Sequence, residues 1–308
     1  MAGIFPKRIG LSGVVLLLAL AWSVQGQVRL RTSSAHNQIT VEDAGGYRLL
    51  RFNGSMETRM WLPNPLFGHF EYTEYFQMPL LFSPKPQRML LMGLGGGSMV
   101  RAFQHYYPDI QLDTVELDPK VAQVAKQFFH VKETAKHKIH FSDGRQFLRL
   151  NKTRKYDAIL MDAYTSNQFG THIPFHLATK EFFALASEDL TKEGVLVFNV
   201  IGTYDDWRSD IVGSMYQTLK SVFPHVYHFQ ASDTRNIVML AVKSKEPLTS
   251  TTLKNKVAAL RAARPKLPKF FGPRVARIRA QAPKSAANAG VLTDDFAPPG
   301  GLLKSKKR

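Results

Sequence analysis

The chain is expected to be an α/β protein, a doubly wound Rossmann-like sheet behind a small N-terminal β-rich domain, and three features carry that expectation. Residues 89–119, MLLMGLGGGSMVRAFQHYYPDIQLDTVELDP, read as strand, glycine turn, helix, strand and acid. From 89 to 244 short apolar runs alternate with segments of helical periodicity, as strands joined by crossover helices require. Residues 27–83 instead show short β-rich runs broken by AGG and NGS, which are hairpin signals.

In chain order, ITVED, GYRLLRF and ETRMWL are the strands of the first domain, and the aromatic strip FEYTEYF and the linker FSPKPQ lead out of it. Residues 89–92 are apolar enough for burial on both faces of a parallel sheet. They stop at Gly93, Gly95, Gly96 and Gly97, where backbone must approach something closely. A helix starts near Ser98 or Met99 and offers unpaired N–H groups to a polar or negative ligand. Residues 112–115 form the next strand, ending in Glu116, and residues 120–129 a helix with Val121, Val124, Ala125 and Phe128 on one face. A strand at 139–141 leads to Asp143-Gly144 and a helix at 146–150, and a strand at 158–161 ends at Asp162. A helix at 179–187, the strand GVLVFNV and a helix within DDWRSDIVGSMYQTLKSVF follow. HVYHFQAS and NIVMLAVKS, strands across a polar turn, suit the antiparallel hairpin that ends the methyltransferase-type version of such a sheet. TTLKNKVAALRAA reads as a short helix, and the Pro-rich, basic stretch 264–290 as extended or disordered linker.

An acid about 20 residues after a glycine turn holds a ribose diol, which fits a dinucleotide or the adenosine of an S-adenosylmethionine-like ligand. Ser98 stands where the dinucleotide fingerprint has its third glycine. Acids after three successive strands, Glu116, Asp143 and Asp162, suit adenosine plus a reacting amine better than a pyrophosphate.

The series GLGGGS, VELDP, SDGRQFL and YDAILMDAY, within residues 39–244, resembles the spermidine synthases, the polyamine aminopropyltransferases. The resemblance implies no permanently bound cofactor. Decarboxylated S-adenosylmethionine, or S-adenosylmethionine itself, enters as co-substrate, and the acceptor is a small amine. It places Gly93, Gly95, Gly96, Gly97 and Ser98 around the donor, Glu116 on the ribose hydroxyls, and Asp143 with Gly144 at the adenine edge. Asp162 becomes the base that takes the amine proton, assisted by Tyr72. A free amine has a pKa of about 10, so it must be deprotonated before it attacks. Tyr72-Thr73-Glu74 stands where the family has Tyr-His-Glu or Tyr-Gln-Glu, putting Glu74 toward the acceptor. Read without the resemblance, FEYTEYF is an aromatic packing strip and Asp162 a helix cap or loop acid. The segment VLTDDFAPP, 291–299, resembles the end of many such chains, and either folds back on the core or makes a solvated acidic turn.

Two acids of the family pattern are absent. Its glycine loop reads G-G-G-D, with the Asp on the donor ammonium, where this chain has Ser98. Its fourth strand ends D-S-S-D, with the second Asp on the polyamine, where this chain has Thr165. These two changes remove negative charge from the amine end and make putrescine a doubtful acceptor. Asp205 and Asp206, just past the fifth strand, either replace the lost acids or cap a helix. His172 and His176, in the loop 166–179 where the family has its gate, are spaced by four, but Pro174 intervenes and no third ligand presents itself, so no metal site is expected. His172 remains open as an alternative acid or base.

The formal net charge of +17 raises nucleic acid or an anionic membrane as partners. Much of the excess lies in residues 254–279 and in the final KSKKR, without any nucleic-acid recognition motif, so a solvated basic face is expected instead. The absence of Cys excludes disulfides and thiolate metal sites. Residues 1–26 read as a secretory signal, with Lys7 and Arg8, an apolar segment at 9–21, and Val24 and Gly26 before a cleavage point. That segment is shorter than the roughly 20 apolar residues of a span, and an uncleaved membrane anchor is the alternative. An exported, periplasmic or secreted protein follows from a signal. A cytosolic one stays open, because adenosyl donors are made there. The expected division is 1–26 signal or anchor, 27–83 β-domain, 84–244 nucleoside-binding catalytic domain, and 245–308 helix and basic tail. Homodimers are common in the family, though nothing in the chain exposes an interface. Two other functions compete with amine alkylation: S-adenosylmethionine-dependent methyl transfer on the same sheet, and silent binding by an exported relic of the nucleoside pocket.

Overall fold

The computed structural model describes residues 26–295, apart from 152, 168, 169, 207 and 208. Strands β1 (Gln27–Ser33), β2 (Gln38–Ala44), β3 (Tyr47–Phe52) and β4 (Ser55–Trp61) form an antiparallel meander in chain order. Two-residue turns join β2 to β3 and β3 to β4, with positive φ at Gly45 and Gly46 (57° and 81°) and at Asn53 and Gly54 (51° and 87°). Such turns follow the right-handed twist of the strands they connect. β1 is a largely exposed edge strand in which Val28 and Leu30 alone alternate with polar residues. In β4 the pairing slips by one: Leu50 faces Thr58 and Arg51 faces Met56, which leaves Glu57 as the extra residue of a β-bulge. The inner face of the meander, Ile39, Val41, Leu50 and Met60, packs on Val121, Val124 and Phe129.

Helix α1 (Tyr72–Tyr75) and a 3-10 turn at Met78–Leu81 lead into the main sheet. β5 (Arg88–Met92), α2 (Ser98–Tyr106), β6 (Gln111–Glu116), α3 (Pro119–Phe128), β7 (His137–Phe141), α4 (Gly144–Leu150) and β8 (Tyr156–Met161) alternate as expected. After the short hairpin β9 (Thr165–Asn167) and β10 (Gly170–His172) come α5 (Lys180–Asp189), β11 (Leu190–Ile201), α6 (Ser209–Lys220), β12 (His225–Gln230) and β13 (Asn236–Val242). The strand order is β12-β13-β11-β8-β5-β6-β7, parallel from β11 to β7, with β13 inserted antiparallel between β11 and β12. The sheet is buried on both sides: Met89 and Leu91 enter one core layer, Leu90 and Met92 the other. The chain reverses direction between β5 and β8, and a crevice opens there beyond the carboxyl ends of the strands.

Residues 264–290 are not the extended or disordered linker that their composition predicts. They follow α7 (Ser250–Ala263) and contain α8 (Phe271–Val275), a 3-10 turn at Lys284–Asn288, and a bridge from Arg279 to His228. Phe271, Val275 and Ala286 are buried, and that burial offsets the cost of ordering the segment. Its arginines are only partly a solvated face, since Arg274 and Arg277 pair with Glu71, and Arg274 also with Glu74. Residues 291–295 fold back on the core: Leu292 is buried and Asp294 takes two hydrogen bonds from Arg145, at 2.8 and 2.5 Å. Of the expected signal or anchor segment, 1–26, residues 1–25 lie outside the described residues. Among the described residues no helix is long and apolar enough to cross a membrane.

Candidate active site

A cavity of about 520 Å³ lies at the switch point, between the meander and the strand ends. That volume suits a nucleoside with an extended tail. Gly93, Leu94, Gly95 and Ser98 form one wall. Gly96 and Gly97 lie behind it: the Gly96 N–H donates to the Thr58 hydroxyl at 2.9 Å, and Gly97, at φ +70°, is the cap residue from which α2 starts.

One side of the cavity is built on β6 and β7. The two carboxylate oxygens of Glu116 accept from the backbone N–H groups of Leu94 and Asp118, each at 2.9 Å, which ties the glycine loop to the start of α3. Burial pushes the Glu116 carboxyl up, against the pull of these hydrogen bonds. Asp143 caps α4 through the Gln146 N–H at 2.9 Å and pairs with His176 at 2.7 Å, and the His176 contact holds its carboxyl below the usual range. Gly144 is also in the wall, and a Cβ there would meet the Met92 sulfur at 2.9 Å.

Another side is built on β8, β11 and α1. Asp162 follows β8 and is held from both sides: Asn199 Nδ2 donates to Oδ1 at 2.8 Å, and the Tyr72 hydroxyl donates to Oδ2 at 3.1 Å. Asn236 Nδ2 in turn donates to Asn199 Oδ1 at 3.0 Å. Burial raises the Asp162 carboxyl to about 6, opposed by the bonds from Asn199 and Tyr72. Desolvation, and then the neighbouring Asp162 charge, drive the Tyr72 phenol well above its ordinary value, so it stays a donor. Asp162 is therefore neither a helix cap nor a solvated loop acid.

Thr165 and Ser98 also face the cavity. The Ser98 hydroxyl accepts from Arg101 at 3.2 Å, and the buried Arg101 guanidinium otherwise meets only carbonyls, those of Gly96, Phe129 and Pro65. Glu74 and Asp205 do not reach the cavity. Glu74 is bound by Arg274 at 2.5 Å and by His69 at 3.2 Å, because α1 turns Tyr72 inward and Glu74 toward the C-terminal segment. Asp205 is exposed beyond β11. Sequence reasoning also missed several polar lining residues, among them Glu57 on the bulge, Asn199, Thr234 and Asn236. The available signal was Asn199, a polar residue near the end of an otherwise apolar strand.

Fold and cavity together define a Rossmann-like protein with a ligand crevice at the switch point. The sequence matches the spermine/spermidine synthase domain over residues 69–252. It is 30% identical to the polyamine aminopropyltransferase of Vibrio vulnificus over 312 aligned residues, which cover 96% of this chain and 100% of that one. A probable spermidine synthase from Corynebacterium glutamicum superposes with a TM-score of 0.67 at 20% identity, over 87% of this chain and 97% of that one. Human methyltransferase-like protein 13, solved in complex with SAH, gives 0.53 at 26% identity, over 63% and 89%. The chain belongs to the spermine/spermidine synthase family.

Proposed function

We propose that this transferase moves the aminopropyl group of decarboxylated S-adenosylmethionine to a small amine other than putrescine. The observation that carries the proposal is Asp162, a buried carboxylate fixed by Asn199 and Tyr72 on the cavity wall. In the step proposed, Asp162 takes a proton from the acceptor ammonium. The freed nitrogen lone pair attacks the carbon beside the sulfonium, the C–S bond breaks, and its electron pair stays on sulfur, releasing methylthioadenosine and the alkylated amine. Incubation with either donor and a panel of amines, followed by product analysis, tests this. Methylthioadenosine and an aminopropylated amine are expected from the decarboxylated donor alone.

Methyl transfer is the second reading, and one observation favours it. Ser98, backed by the Arg101 guanidinium, offers no acid to a donor ammonium and leaves a positive charge that suits a donor retaining its carboxylate. S-adenosylhomocysteine and a methylated product from the intact donor would replace the first reading.

Glu116→Ala is expected to weaken methylthioadenosine binding by about 1.5 to 3 kcal/mol, the range for charge-assisted hydrogen bonds to two hydroxyls. Calorimetry at constant salt measures it, and unchanged affinity removes Glu116 from the ribose. Because Glu116 also accepts from Leu94 and Asp118, the variant is expected to lose some stability as well. Ser98→Asp combined with Thr165→Asp is expected to improve kcat/KM for putrescine by at least about tenfold, since each places an acid on the cavity wall. Ordinary spermidine formation by the unaltered chain would show that neither acid was needed.

A further inference from the structure

The cavity wall is acidic in a basic protein. The chain has 41 Lys and Arg against 24 Asp and Glu, yet among the described residues five carboxylates line the cavity and no Lys or Arg does. Four of the five are already engaged. Both oxygens of Glu116, Asp118, Asp143 and Asp162 accept hydrogen bonds from protein groups. Glu57 differs: its Oε1 is enclosed and, among the described residues, has no hydrogen-bond partner, and the neighbouring Ser55 only partly favours its charged form. The Thr234 hydroxyl, on the same cavity, is likewise enclosed without a partner.

An enclosed carboxylate oxygen with nothing to accept from is costly, and bulges beside sites re-aim side chains that regular strands would point elsewhere. Here the bulge turns Glu57 toward the cavity, close enough for its charge to be felt by Asp162, Tyr72 and Tyr164. We infer that Glu57 is the carboxylate that receives a substrate ammonium, taking over from the acids absent at positions 98 and 165. The inference rests on the amine-transfer reading for the identity of its ligand. It moves the negative charge from the sheet side of the cavity to the meander side, so the ammonium it fits is placed differently from one held at residue 165. Burial, and less so repulsion from Asp162, raise the Glu57 carboxyl to about 7, and a bound ammonium would restore its charged form.

The ammonium comes from the aminopropyl tail of the donor or from the acceptor, and binding measurements separate the two without turnover. Glu57→Gln and Glu57→Asp are titrated with methylthioadenosine, which has no ammonium, and with decarboxylated S-adenosylmethionine. Putrescine and spermidine are then titrated into the methylthioadenosine complex. Glu57→Gln is expected to lose about 10- to 100-fold in affinity for one ammonium-bearing ligand, with methylthioadenosine unchanged within about twofold and Glu57→Asp recovering part of the loss. Loss confined to the donor assigns its tail ammonium to Glu57, and loss confined to the amines assigns the acceptor. An equal loss for methylthioadenosine, or no loss for any ammonium ligand, overturns the inference. So does a native chain that gains no affinity from an ammonium. If ligand affinity depends on Glu57 while no amine is ever alkylated, aminopropyl transfer fails and the ammonium site stands.

Discussion

Asp162→Asn is expected to lower turnover by about 10² to 10⁴ while methylthioadenosine affinity changes little. The variant keeps the size of the side chain, so the partners of Asp162, Asn199 and Tyr72, still enclose it. It lacks the basic oxygen that takes the acceptor proton in the proposed step. In the native chain the rate should rise with pH through about 6, where burial places the Asp162 carboxyl, and the variant should lose that limb. Because Glu57, near 7, interacts with Asp162, the observed midpoints belong to the pair. Stability should run the other way. A carboxyl whose folded value lies above its unfolded 3.8 binds more protons in the native state between about pH 4 and 6, so the native chain loses stability as pH rises through that window. The loss is on the order of 1 to 3 kcal/mol, and Asp162→Asn should remove it. Urea titrations at pH 4.5 and 7.5 measure this on the preparation used for kinetics. A variant with full turnover would end the base assignment and turn attention to methyl transfer.

Gly93→Ala is expected to cost at least about 3 to 5 kcal/mol, enough to leave little folded protein at 37 °C. Gly93 sits at φ +91°, and a Cβ there would lie 2.2 Å from the carbonyl oxygen of Asp162 and 2.8 Å from its carbon. Neither neighbour is a flexible side chain. Gly93 N–H donates to Val115 at 2.8 Å and Asp162 N–H to Met92 at 2.9 Å, so relief of the clash must part β5 from β6 or β8. Gly95→Ala is the control. At φ +51°, with only the Thr58 hydroxyl at 3.2 Å, it should cost about 1 kcal/mol. Equal stabilities for the two variants would mean that the approach to Asp162 is not tight.

Glu116, Asp143 and Asp162 were legible because a parallel sheet delivers its strand ends to one edge, so an acid after an apolar run is placed by the topology alone. Glu57 was not, because its direction depends on a one-residue slip that breaks the period of two in SMETRMW, and no turn or composition signal marks it. Glu74 was misread because the position of its partner Arg274 follows from the packing of α8, which no local pattern reveals. In 264–290 the apolar residues Leu267, Phe271, Val275 and Ile278 recur at spacings of three and four, but Pro265, Pro268 and Pro273 hide the rhythm. Asp205 failed for a simpler reason: lying after a strand end does not turn a side chain inward.

Helix α1 presents Tyr72 to Asp162 from between Glu71 and Glu74, and both acids are anchored by arginines some 200 positions further on. During synthesis the tyrosine therefore leaves the ribosome long before the cations that steady its helix. Contacts of such long sequence separation form slowly, since the closure entropy of the intervening chain must first be overcome. The corner where Tyr72 meets Asp162 is thus braced late, and a nascent chain halted before Arg274 would carry every strand of the main sheet without the arginines that steady α1.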